Sequence, residues 1–169
     1  MDVSDLLTET FDRLPDLVRA AVEGLSPEQL RHQPAPGHNS IGWLVWHLTR
    51  VQDQHVAEVL DAEPVWVSGD WAGRFGLTAD PANTGYGHSP EQVAAVRPES
   101  AAVLIDYYGA VASRTGEFLA GLRPADLDRI VDEGWDPPVT LGVRLVSVAE
   151  DDLQHVGQAA YLRGLLETG

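Results

Sequence analysis

The segment from Asn39 to His47, which reads NSIGWLVWH, is the part of the sequence that decides the fold. Residues 41–48 are almost wholly apolar, so two successive helical turns should be buried on most of their faces. His47 lies within this run, which implies that its imidazole is buried as well. We predict a helix that begins near Asn39 or Ser40 and extends to about Asp61, with residues 50–54 forming a solvent-facing polar surface.

Three further stretches have the three- and four-residue spacing of apolar side chains that is typical of amphipathic helices. They run from about Val3 to Val22, from Glu99 to Leu122 and from Leu141 to Leu166. Pro15 should kink or interrupt the first of them. Residues 139–148 are rich in β-branched side chains, but Thr140 as a helix cap is the preferred interpretation. The pattern predicts an all-α four-helix bundle without a convincing strand, in which residues 1–169 form one domain.

The segment between Pro64 and Pro98 lacks a long helical pattern and contains several aromatic and glycine residues. A loop of this length inside a compact domain is usually functional or disordered, and its aromatic content favours an ordered flap. We expect Trp66, Trp71 and Phe75 to cover an apolar substrate. Ser-Pro-Glu-Gln sequences beginning at residues 26 and 89 predict short capped helical turns.

The composition limits the classes of function. The 26 acidic residues exceed the 11 basic ones, for a formal net charge of −15, so nucleic acids and anionic membranes are unfavourable partners. Cysteine is absent, which excludes disulfides, thiolate ligands and a cysteine nucleophile. No signal peptide and no membrane-spanning run are visible, so a cytoplasmic location is expected.

A polar ribbon runs along the predicted last helix. Asp151 and His155 are four residues apart, so they lie one turn apart on the same face. Arg144, Ser147 and Gln158 share this face on a helix that is otherwise largely apolar. A polar ribbon on a buried helix is costly unless its members are paired or bind a ligand. The alternative is a solvated face, because acidic residues also occupy positions 150 and 152.

Two imidazoles and one carboxylate from two helices would form a three-ligand divalent-metal site with open coordination positions. We therefore predict that His47, Asp151 and His155 converge. Taken alone, His47 is more typical of a hydrogen-bonded core histidine. Of the other histidines, His55 should face another way, and His88 is a weaker candidate for a mobile group of the site. His32 and His38, in a connection rich in proline and glycine, should be exposed.

The motifs resemble a known family. The NSIGWLVWH segment, the D-x3-H-x2-Q spacing from Asp151 to Gln158, and the following QAAYLRG at residues 158–164 are together similar to the DinB-like superfamily. Within it, the likeness is closest to the mycothiol-dependent maleylpyruvate isomerase-like proteins and to uncharacterised actinobacterial members. It covers almost the whole chain, because the order, spacing and number of helices agree.

This resemblance implies a four-helix bundle that holds one divalent ion through His47, Asp151 and His155, with Gln158 as a partner of the ligands. Zinc is the preferred ion, and nickel, manganese or iron would also suit His and Asp ligands. Trp43, Arg144, Trp66 and Trp71 are the predicted lining of a substrate pocket. Dimers are common among similar folds, so a homodimer is one expected assembly.

The favoured function is a metal-dependent transferase in which a low-molecular-weight thiol, such as mycothiol, attacks a small electrophilic substrate. A metal-dependent hydrolase would use the same ligands. Non-haem iron oxygenases also use two histidines and a carboxylate, but mostly on β-rich scaffolds. A non-catalytic, metal-stabilised helical module remains the third alternative.

Overall fold

The computed structural model describes residues 1–168 and is built mainly of α-helices. These are α1 (Val3–Asp12), α2 (Leu14–Val22), α3 (Pro27–Arg31), α4 (Ile41–Leu60), α5 (Val65–Ser68), α6 (Pro90–Ala95), α7 (Ala101–Ala120) and α8 (Leu141–Thr168). Short 3-10 turns occupy Ala72–Phe75 and Pro124–Asp128, and the strands β1 (Ile130–Asp132) and β2 (Val139–Thr140) form a small sheet. The all-α bundle predicted from the sequence is confirmed.

The long helices form a closed four-sided bundle. Helix α4 packs against α8, α8 against α2, the α1–α2 pair against α7, and α7 back against α4. The first predicted helix is interrupted at Arg13, which separates α1 from α2. Pro15 lies in the first turn of α2, where the missing proline N–H removes no helical hydrogen bond. Within residues 1–168, no helix is long and apolar enough to cross a membrane.

The connection into α8 contains the strands that the sequence prediction missed. Strand β2 pairs in antiparallel fashion with β1, so the β-branched stretch starting at residue 139 is extended at its first two positions. Thr140 nevertheless acts as the predicted cap, because its Oγ1 accepts a hydrogen bond of 3.3 Å from the amide of Val143. Thr140 is therefore both the last residue of β2 and the cap of α8.

The middle of α4 is not the solvent-facing surface that its polar residues predict. Arg50, Gln52 and Asp53 are all buried, with at most 1% of their surface exposed. Asp53 accepts hydrogen bonds from the first two amides of α5, each 2.8 Å long, and from the Tyr107 hydroxyl at 2.8 Å. The segment between α4 and α7 folds back over this face, which the local pattern cannot show.

That segment also departs from the predicted flap. Trp66 and Phe75 are fully buried in the core, and both rings pack against Tyr107 at centroid distances of 5.4 and 5.9 Å. Trp71 is half-buried and lies 5.2 Å from the Tyr107 ring. These aromatic side chains therefore hold the segment to the bundle, in place of the free flap that the sequence predicts. The predicted capped turns are present, with capping boxes at Ser26 and Ser89.

Asp152, on the core side of α8, is a buried carboxyl without a partner. It is completely inaccessible, and neither carboxyl oxygen has a hydrogen-bond partner among residues 1–168. Burial, reinforced by the charge of Asp151, raises the pKa of Asp152 well above its ordinary value. An unpaired buried polar group of this kind lowers the stability of the fold.

Asp152→Asn is expected to stabilise the fold at neutral pH. The unfolded carboxyl ionises above its ordinary pKa of 3.8, whereas the folded one resists ionisation, so the wild-type protein loses stability as the pH rises above that value. We expect the variant to gain on the order of 1–3 kcal/mol in urea unfolding at neutral pH, because an amide cannot ionise and each unit of pKa difference between the folded and unfolded states corresponds to about 1.4 kcal/mol. The gain should shrink as the pH falls to 3.8. The exposed neighbour Glu150→Gln is the control, and an equal gain in that variant would contradict this explanation.

Candidate metal centre

A cavity of about 580 Å³ opens between α4, α8 and the segment that precedes α6. His47 lies on its wall at one end and Asp151 faces it from α8. Helix α4 contributes a stripe of lining residues at positions 47, 51, 54, 55 and 58, which is the spacing of one helical face. The cavity is therefore built on two long helices of the bundle and closed by a loop.

The three predicted ligands converge, with His47 and Asp151 lining this cavity and His155 next to them. His47, Asp151 and His155 each place one ligand atom within 4.8 Å of the others. The His47 and His155 rings meet edge to face at a centroid distance of 4.8 Å. His47 is 6% exposed, while the side chains of Asp151 and His155 are 29% and 20% exposed. The cluster is thus half-buried and reachable from the cavity.

A backbone carbonyl fixes the tautomer of His47. Its Nδ1 lies 2.5 Å from the carbonyl oxygen of Thr84, and because a carbonyl can only accept, Nδ1 must carry the proton. In the neutral ring, Nε2 then keeps its lone pair for a metal ion. A hydrogen bond from the second ring nitrogen to a carbonyl is the usual way in which proteins orient a histidine ligand.

Gln158 does the same for His155. The amide oxygen Oε1 accepts a hydrogen bond of 2.9 Å from Nδ1, which leaves Nε2 on the side of Asp151. The distance from Nε2 to the Asp151 Oδ1 is 3.5 Å. Gln158 therefore contacts one of the three candidate ligands, the position that the resemblance implies for it.

The donor set fits a divalent cation. Asp151 Oδ2 is inaccessible and has no hydrogen-bond partner within residues 1–168. An orphaned carboxylate oxygen next to two imidazole rings is a costly arrangement unless a cation completes it. Three protein ligands would leave coordination positions open toward the cavity. The residues present can therefore hold such an ion.

The ionisation of the two histidines differs because their surroundings differ. Burial lowers the pKa of His47, although its hydrogen bond to Thr84 and the charge of Asp151 oppose this. For His155, the hydrogen bond to Asp151 raises the pKa, and burial opposes it. His47 is thus held neutral, as metal ligation requires. His155 pairs with the carboxylate when no cation separates them.

Aromatic rings surround His47. Trp43 stacks on it at a centroid distance of 4.6 Å and an interplanar angle of 12°. The indole N–H of Trp43 donates a 3.2 Å hydrogen bond to His88, whose other ring nitrogen donates to the Asn83 side chain at 2.8 Å. Trp43 therefore packs against the candidate metal ligand His47 and does not line the cavity, in contrast to its predicted place in a substrate pocket. His88 is a fixed partner of this stack and is not placed among the ligands.

Gly85 allows the loop to approach the ligand this closely. Its φ is +92°, and a Cβ atom there would lie 2.8 Å from Nδ1 of His47 and 2.9 Å from the Trp46 ring. Both the backbone conformation and the contact distance therefore require glycine. Gly85 is one of several glycines in this segment, so the sequence gives no local signal of its role.

His55 lines the same cavity, contrary to the expectation that it faces another way. Its Nδ1 lies 3.2 Å from the Glu58 carboxylate, and an Arg144 guanidinium nitrogen lies 3.3 Å from both ring nitrogens. Arg144 is anchored by Asp132 at 2.8 Å. An angular offset of about 80° from His47 was too small to exclude His55 from a cavity this wide. Its spacing within the lining stripe of α4 is the signal that could have found it.

The remaining predicted lining residues divide between the cavity's edge and the core. Arg144 lies beside His55 and lines a smaller adjoining cavity with Arg129 and Glu58. Trp66 has no exposed surface and Trp71 packs on Tyr107, so the structure does not bring these two to the cavity. Thr84 and Tyr86 line it instead. His32 and His38 are exposed, as expected.

Comparison with known proteins identifies the family. A model of the DinB superfamily matches residues 10–159. The chain belongs to the DinB superfamily. A conserved protein from Enterococcus faecalis, known from a crystal structure, is 32% identical over 100% of this chain and 99% of that one, with a TM-score of 0.90.

A DinB-like protein from Bacillus cereus shares the fold at 21% identity, with a TM-score of 0.56 over 95% of this chain and 86% of that one. No curated protein matches the sequence. These findings support DinB superfamily membership and the bundle fold of this chain.

Proposed function

We propose that this DinB superfamily protein is a metal-dependent transferase that joins a low-molecular-weight thiol to a small electrophile. The observation that carries the proposal is the His47, Asp151 and His155 cluster, of which His47 and Asp151 line a cavity of about 580 Å³. A cavity of this size lies within the range of small-molecule sites. The sequence has no cysteine, so a sulfur nucleophile must come from a second substrate.

A divalent ion held by these ligands would lower the pKa of a thiol in the cavity, so that the thiol reacts as thiolate at neutral pH. The protein's own residues would hold the ion and orient the side chains that bind it. Gln158 and the Thr84 carbonyl engage the Nδ1 atoms of His155 and His47, so that both Nε2 atoms would be available to hold the ion. Val51, Ala82 and Val148 supply apolar wall against which an electrophile can pack. Zinc is the proposed ion, and mycothiol is a proposed thiol.

Conjugation assays with purified protein test this proposal. We expect metal-loaded protein to conjugate at least one small thiol from a panel including mycothiol, glutathione and cysteine with reactive electrophiles. The rate should rise above background by 100-fold or more, since a positioned, activated nucleophile contributes on the order of that factor. Protein stripped of metal and the Asp151→Ala variant are the controls. Background rates with every thiol and electrophile would reject the transferase.

Hydrolysis is a second candidate, favoured by one observation. His55 lines the cavity, and burial, followed by the charge of Arg144, lowers its pKa. A neutral imidazole at this place can accept a proton from an attacking water. Ester, amide and lactone substrates supplied without any thiol separate the two candidates. Turnover without thiol would favour hydrolysis, and metal-dependent stability without turnover would favour a non-catalytic module.

A further inference from the structure

We propose that Arg50 is a positioning residue for the metal centre. It does not touch the three candidate ligands. Its guanidinium holds residues 81–85 so that the carbonyl of Thr84 meets Nδ1 of His47 and selects the tautomer that leaves Nε2 free. The effect on metal affinity rests on the proposed function, whereas the effect on the His47 tautomer does not.

Arg50 is fixed from several directions inside the bundle. It has no exposed surface. Its Nη1 pairs with Asp53 at 3.2 Å, and its guanidinium lies 5.3 Å from the Trp66 ring centre. Asp53 is itself held by the amides at the start of α5 and by the Tyr107 hydroxyl. The orientation of the guanidinium is therefore fixed by Asp53 and the Trp66 ring, which are not part of residues 81–85.

The other nitrogens of Arg50 reach the loop backbone. Nη2 donates to the Pro81 carbonyl at 2.8 Å, and Nε donates to the Asn83 carbonyl at 3.1 Å. Asn83 comes immediately before Thr84 and Pro81 is three residues before it, and the carbonyl of Thr84 itself accepts the hydrogen bond from His47. Arg50 and His47 both lie on α4, three residues apart. One helix thus presents the ligand and, one turn later, the group that positions the ligand's hydrogen-bond acceptor.

Arginine suits this task for a geometric reason. Its planar group carries five N–H donors in a fixed fork, which here serve two carbonyls and a carboxylate at once. Lysine keeps the charge but places it at a single point, so it cannot reach all three acceptors in the same directions. A buried guanidinium is also expensive to desolvate, and a purely stabilising role could be served by apolar residues. This favours a positioning role over one in stability alone.

The test uses Arg50→Lys in the full-length protein. In metal-free protein, at a pH well above the ordinary pKa of histidine, nitrogen–proton NMR correlations report which ring nitrogen of His47 carries its proton. We expect wild-type protein to show the Nδ1–H tautomer and Arg50→Lys to show a mixture. Zinc affinity, measured by competition with a chelator, should fall by about 10–100-fold, the usual effect of losing an outer partner of a metal ligand.

Gln52→Leu is the matched control. Gln52 is equally buried on α4, but its side chain donates to Thr115 at 2.7 Å and does not contact the loop. This variant should change stability without changing the His47 tautomer. Should Arg50→Lys fail to fold, Pro81→Gly loosens the same segment from an exposed position and should shift the tautomer in the same direction.

An unchanged His47 tautomer in every folded variant of Arg50 and Pro81 would overturn the proposal. A different result would show that the proposed metal site is wrong. In that case wild-type protein would bind no zinc, while the tautomer would still respond to Arg50→Lys.

Discussion

Replacing His47, Asp151 or His155 with alanine is expected to remove most divalent-metal binding while leaving the helices in place. Each residue supplies one of the three ligand atoms that lie within 4.8 Å of one another. Loss of a residue that only hydrogen-bonds to a metal ligand typically weakens metal binding by about 10–100-fold. Loss of a ligand itself should therefore weaken it by more than about 100-fold. Elemental analysis of protein purified without added metal, together with zinc titration calorimetry, measures the effect.

The helices should survive because none of these side chains is a major part of the apolar core. The side chains of Asp151 and His155 are only partly buried. His47 is more buried, and its removal exposes one face of Trp43, so His47→Ala should lose the most stability of the three. Far-ultraviolet circular dichroism checks that helix content is retained in each variant.

Glu150→Ala is the control for this series. Glu150 is the exposed neighbour of Asp151 on α8, and it bonds Gln154 at 3.0 Å outside the cavity. Its loss removes the same charge without removing a proposed ligand. If Glu150→Ala and Asp151→Ala weakened zinc binding equally, the cluster would be only part of a general acidic surface.

The sequence was sufficient to predict that these three side chains converge, because the spacing and burial that indicate them are local features. Asp151 and His155 are one turn apart on α8, and a strongly apolar run makes His47 buried. The convergence of α4 and α8 follows from the bundle. Helix bounds were likewise predicted to within a few residues, since apolar spacing and capping residues act over short distances.

The parts that sequence reasoning missed depend on contacts between distant segments. Arg50 and Asp53 have the composition of a solvated helix face, but the segment after α4 covers them and supplies their partners. Trp66 joins the core for the same reason. Asp152 is different, because it lies three and four residues from the buried Val148, Ala149 and Val156. That periodicity predicts that Asp152 is buried, although the acidic residues on either side of it suggest a solvent-exposed face of the helix.

The contact between the loop and His47 leads to the second large expected effect. Gly85→Ala should destabilise the protein and weaken its metal binding together. A Cβ at this position would be 2.8 Å from Nδ1 of His47 and 2.9 Å from the ring of Trp46, at a φ of +92°. Neither neighbour can yield easily, because His47 is stacked on Trp43 and Trp46 is completely buried. The loop must therefore move away, and the hydrogen bond from His47 to Thr84 is lost.

Gly87→Ala separates the contact from the backbone conformation. Gly87 also has a positive φ, +69°, but a Cβ there would meet nothing within 4 Å. In both variants, an alanine in the left-handed conformation should lower the free energy of unfolding by about 1–2 kcal/mol. Gly85→Ala should cost about 1–3 kcal/mol more from overpacking, measured by urea unfolding. Only Gly85→Ala should also lower zinc affinity, by about 10–100-fold. Equal effects on affinity in the two variants would mean that general loosening of the loop, and not its close approach to His47, controls the site.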